Sequence, residues 1–71
     1  MKWYGTQPEK CDLDGEPIED LFFDGATKTN GTVGPWAIMC PHCFREHGVG
    51  LGTGVGQRYE FIHGEWVKTG G

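Results

Sequence analysis

Cys40-Pro41-His42-Cys43 limits the fold of this chain more than any other feature, because two cysteines spaced this way either share a metal ion or form a redox pair. The chain has 71 residues and three cysteines, an odd number that rules out a complete disulfide framework. Below about 70 to 80 residues an apolar core alone rarely supplies more than ~3 to 5 kcal/mol, so a staple is expected. Cys11-Asp12-Leu13-Asp14-Gly15 has the outline of a second knuckle, with aspartate where its closing cysteine would stand. Structural zinc takes four tetrahedral ligands from cysteine, histidine and carboxylate, and two knuckles deliver them two and two. Cys11, Asp14, Cys40 and Cys43 are therefore the expected ligands of one structural Zn2+. Gly15 suits the backbone turn that follows such a ligand.

Histidines compete for the fourth position. His47 lies four residues past Cys43 and is the next choice after Asp14; His42 sits between two ligands and should point away from their ion, and His63 is remote in sequence. A Cys-Pro-His-Cys tetrapeptide also serves thiol-disulfide exchange. That scaffold needs about 100 residues of βαβ structure and leaves Cys11 without a role. The blandest alternative makes Cys11 a buried small residue, Asp14 a turn residue, and Cys40 and Cys43 a free or weakly metal-binding pair.

The remaining pattern supplies a scaffold for the site. Ile18 to Met39 reads as a β-hairpin about an Asn30-Gly31 type I′ turn, which would set Phe23 opposite Ile38 and Phe22 opposite Met39, with a bulge expected at Asp24-Gly25. Pro41 to His47 suits a short helix with proline in its first turn and Gly48 as its stop. Knuckle, hairpin and ligand-bearing helix together make a small metal-stapled α+β domain of treble-clef type; a zinc ribbon is the close alternative. Gln57 to Ile62 and Glu65 to Lys68, joined by His63-Gly64, form a second hairpin, and the Gly-Gly end is expected to fray. One domain spans residues 1–71.

Residues 48–56 place glycine at every even position, so an extended strand would carry Val49, Leu51, Thr53 and Val55 on one face and bare backbone on the other. Ordering that many glycines is costly, and packing by Trp3, Trp36 or Trp66 is the expected compensation. A packed or partner-facing glycine strand is the first reading and a flexible loop the second; a phosphate cradle fits less well, since the stretch has no lysine and no phosphate-loop spacing.

The net charge is −4, and no cluster of Lys or Arg is present to neutralise phosphates. A single-strand groove flanked by Arg45, Arg58 and Lys68, with Tyr59 and Trp66 for stacking, is the nucleic-acid alternative. The acidic residues Glu16, Glu19, Asp20 and Asp24 suit a basic surface on a protein. Nine aromatics are more than a core this small must enclose, and Trp3, Leu51, Arg58, Tyr59 and Trp66 are the candidate partner contacts. No apolar run reaches the ~20 residues of a membrane span, and Met1-Lys2-Trp3-Tyr4-Gly5 does not open a secretory signal. A soluble cytoplasmic protein is expected. No nucleophile, base and orienting group can be recognised together, so an enzyme is not expected.

The runs Lys10–Gly15, Gly34–Cys43 and His47–Tyr59, with the Trp66-Val67-Lys68 ending, resemble a group of small bacteriophage zinc-finger-like proteins. Those proteins carry two C-x-x-C pairs followed by a glycine-alternating stretch. The resemblance covers nearly the whole chain and departs at Asp14. It implies a phage-encoded protein of the host cytoplasm, with metal ligands at Cys11, Cys40 and Cys43. It implies no particular activity, so the role rests on the residues: acidity, small size and the aromatics put first a module that binds a host or phage protein, as a regulator of host takeover would, with a single-strand binder and a virion component as alternatives.

Overall fold

The computed structural model describes residues 8–71, with Thr29 described by its backbone alone. It is a small α+β domain with strands β1 (Leu21–Thr29) and β2 (Thr32–Met39), helix α1 (Pro41–His47), and strands β3 (Gly56–Ile62) and β4 (Glu65–Gly70). One antiparallel sheet contains all four strands in the order β2-β1-β3-β4. Both hairpins turn as type I′ requires, with positive φ at two successive residues: 52° and 80° at Asn30-Gly31, 51° and 79° at His63-Gly64. Among the described residues no helix is long and apolar enough to cross a membrane.

The first hairpin is offset from the expected register. Phe23 pairs with Met39 and Asp24 with Ile38, because the bulge lies nearer the turn, where Gly34 and Pro35 stand together against Thr27. Proline has no N–H to give a ladder, so a bulge is the place that tolerates it. Thr27 Oγ1 donates to the Pro35 carbonyl at 2.9 Å and fixes the distortion.

Adjacent strand residues face opposite ways, and Phe22-Phe23 uses that alternation to seed two cores. Phe23 and Met39 pack with Cys11, Cys40 and Cys43 on the helix side, joined by Leu21, Ala37 and Phe44. The Phe23 and Phe44 rings stack at 4.1 Å, which seats α1 on β1. On the other side Phe22 is wholly buried with Tyr59 and Trp66, stacked on the first at 5.2 Å and edge-on to the second at 4.8 Å. Ile18 touches both clusters.

The glycine-alternating stretch is not the expected strand. Gly50, Gly52 and Gly54 take φ of 152°, 147° and 77°, so the alternation supplies a series of glycine-only backbone positions, and residues 48–55 loop back onto β1. Ala26 anchors the loop at both ends, accepting from Val49 N and donating to Val55 O. Among the described residues no tryptophan fills the bare backbone as expected. Trp66 lies in the second core, Trp36 is exposed, and Trp3 lies outside the described residues. The Phe44 ring and carbonyl crowd Gly48 instead, and the Gly50 carbonyl leaves no room for a Cβ at Gly56; across the β1–β3 ladder Gly25 faces Gly56 so closely that Gly25 has no room for one either. At the chain end β4 extends further than expected, since Gly70 pairs with Arg58.

Candidate metal centre

The first knuckle is a closed turn. Gly15 N donates to the Cys11 carbonyl at 3.0 Å and Cys11 N to the Glu16 carbonyl at 2.8 Å, with Gly15 at φ 74°. Asp14 Oδ1 accepts from Glu16 N at 3.0 Å, an Asx turn that orients the carboxylate. Asp12 fastens the knuckle to the sheet, its N–H donating to the Ile38 carbonyl at 2.8 Å and its Oδ2 accepting from Ile38 N at 2.9 Å.

The second knuckle is the start of α1. Cys40 follows β2 directly, takes an extended backbone as N-cap, and its Sγ accepts from Cys43 N at 3.4 Å, in the way a cap side chain satisfies a free N–H of the first turn. Cys43 then points from the first turn into the same core.

Strand register and helix start bring the four groups together. The Sγ atoms of Cys11, Cys40 and Cys43 and a carboxylate oxygen of Asp14 all lie within 4.8 Å of one another, close enough to hold one metal ion. A tetrahedral ion with ~2.3 Å bonds to sulfur places its ligands about 3.8 Å apart, so the set fits a mononuclear centre after a small contraction. The Cys40 thiol already donates to Asp14 Oδ2 at 3.5 Å. Cys11, Cys40 and Cys43 are 3, 8 and 4% exposed, whereas Asp14 is exposed.

Without metal the cluster is a carboxylate among thiols. The Glu16 backbone N–H, then the Cys43 thiol, holds Asp14 down at about 2. Burial, then hydrogen bonding with Asp14 and the other two thiols, pushes Cys43 well up, so it is protonated at neutral pH.

None of the three histidines joins this group. His42 Nδ1 instead faces Arg45 Nη2 at 3.3 Å on the exposed side of α1, and His47 and His63 are exposed, so the fourth member of the cluster is Asp14 and not His47. Asp12 was not legible as a positioning residue, since its spacing reads only as an acidic turn.

The expected partner contacts divide. Leu51 is exposed; Arg58 is half-buried and reaches back to the Thr69 hydroxyl and carbonyl at 3.0 and 2.9 Å. Tyr59 and Trp66 are core residues, 4 and 7% exposed, and Tyr59 Oη donates to Gln57 Oε1. Rings enclosed in this way offer no face for a base to stack on, which removes the main element of the single-strand groove. Asp24 is half-buried, while Asp12, Glu16, Glu19 and Asp20 stay exposed. No known protein family, curated protein or solved structure matches the chain.

Proposed function

We propose that this chain is a non-enzymatic, phage-encoded module of treble-clef type, held together by one structural Zn2+ on Cys11, Asp14, Cys40 and Cys43, and that it acts by binding a protein partner. The convergence of the four donor atoms carries the reading. The order of elements supports it as well: a ligand-bearing knuckle, the β1–β2 hairpin, then a helix with the second pair at its cap and first turn. Sulfur-rich sets favour zinc among the divalent ions a cell offers, and structural zinc contributes on the order of 10 kcal/mol or more in small fingers. That is large beside what two cores of this size provide.

Four protein ligands leave no vacant position for a catalytic water. Burial of Cys43 opposes the low thiol pKa that disulfide exchange requires. The exposed acids Asp12, Glu16, Glu19 and Asp20 give the knuckle side a negative field suited to a basic protein surface.

Chelation tests the zinc: stripping the metal with EDTA should abolish cooperative thermal unfolding, and re-adding Zn2+ should restore it. Unchanged unfolding in EDTA would remove the metal from the account. For the partner, proteins captured from infected cells by the wild-type chain should be lost with a Glu16→Lys/Glu19→Lys/Asp20→Lys variant that still folds. Binding of single-stranded oligonucleotide at low salt would instead favour the nucleic-acid role.

A further inference from the structure

The four ligands are not equivalent in access. The three thiols are enclosed by the helix-side core, while Asp14 is exposed on the first knuckle. An ion held by this set therefore meets solvent across Asp14. Asp14 is also the one oxygen donor among sulfurs, and its other oxygen is already engaged by Glu16 N. A soft thiolate outcompetes a single carboxylate oxygen for zinc-like ions.

We infer that the Asp14 position is an exchangeable ligand site, where an external thiolate, from a free small thiol or from a cysteine side chain, binds the metal in place of the carboxylate. This rests on the metal reading of the previous subsection. In the exchange the metal–oxygen bond breaks and a metal–sulfur bond forms, the incoming thiol gives its proton to solvent, and the Asp14 carboxylate stays in its turn with Glu16. Nothing is oxidised or reduced.

The Co2+-loaded protein reports the exchange through its thiolate-to-cobalt charge-transfer bands. Anaerobic titration with 2-mercaptoethanol should raise their intensity by about one third, as three thiolates become four. Asp14→Cys should show the higher intensity from the start and no response to thiol, and Asp14→Ala should bind the thiol severalfold more tightly than wild type. A short cysteine-containing peptide is the second arm. Binding at least tenfold tighter than 2-mercaptoethanol assigns the site to a protein cysteine, and equal binding assigns it to small thiols. Normal bands that no thiol alters overturn the exchangeable site alone, whereas absence of charge-transfer bands before thiol is added overturns the metal centre and the exchange with it.

Discussion

Replacing Gly25 by alanine should cost this domain about twice as much as the same change at Gly54, although both lie outside the metal site. A methyl at Gly25 would sit 2.7 Å from Gly56 Cα and 2.8 Å from the Val55 carbonyl oxygen. Both obstacles are backbone, so no side chain can swing aside and the β1–β3 ladder must part. Val55 O is the acceptor for Ala26 N at 2.9 Å, and Gly56 exchanges two hydrogen bonds with Gly52, so parting the strands weakens the loop closure too. Removing a glycine from an open strand would gain about 0.5 to 1 kcal/mol. Overpacking costs about 1 to 3 kcal/mol and each weakened hydrogen bond about 0.5 to 1.5 kcal/mol, leaving a net loss of about 2 kcal/mol. For a domain of this size that is a fall in Tm of about 10 °C. Gly54 has φ 77° and nothing within 4 Å of an added Cβ, so Gly54→Ala bears only the left-handed backbone cost of about 1 kcal/mol. Thermal unfolding followed by far-ultraviolet circular dichroism, with metal in excess, compares the two. If Gly25→Ala loses no more than Gly54→Ala, the close approach of β1 and β3 is wrong.

Phe22→Ala should cost about 3 to 5 kcal/mol, because the ring is wholly buried between Tyr59 and Trp66; urea unfolding of the metal-loaded protein measures it. Burial, then the charge of Asp12, raises the Asp24 carboxyl in the folded state. A raised acid destabilises the fold above its folded pKa, and the penalty vanishes below the unfolded pKa, so Asp24→Asn should stabilise at pH 7 and lose that advantage on acidification. The gain should be under about 1 kcal/mol, since the carboxyl retains much of its solvent. Because burial keeps Cys43 a thiol at neutral pH, zinc binding must displace its proton. The apparent zinc affinity should therefore rise at least about tenfold per pH unit from 6 to 8 in competition titrations with a chromophoric chelator.

The candidate site was largely legible because metal ligands are a matter of residue type and local spacing. Cys11 with Asp14, and Cys40 with Cys43, each sit within one turn of chain, and Pro41 and Gly48 mark the helix that positions the second pair. Both hairpin turns were legible for the same local reason. The register of the first was not, because Gly34-Pro35 adds a residue to β2 opposite Thr27, a cross-strand fact that the turn sequence does not carry. The glycine stretch misleads because alternation is read as strand periodicity, whereas here it spaces the positive-φ residues of a loop. The pairing of β1 with β3 runs from Leu21 against Glu60 to Gly25 against Gly56, and neither glycine announces its partner. Tyr59 and Trp66 become core through that same pairing, so their place inside could not be foreseen from local pattern.

X-ray absorption at the zinc edge, on protein purified without added thiol and found to hold one zinc per chain, tests the central claim most directly. The account predicts three sulfur neighbours at about 2.3 Å and one oxygen at about 2.0 to 2.2 Å. A folded protein with well under one zinc per chain, or a zinc surrounded by nitrogen and oxygen, would contradict it.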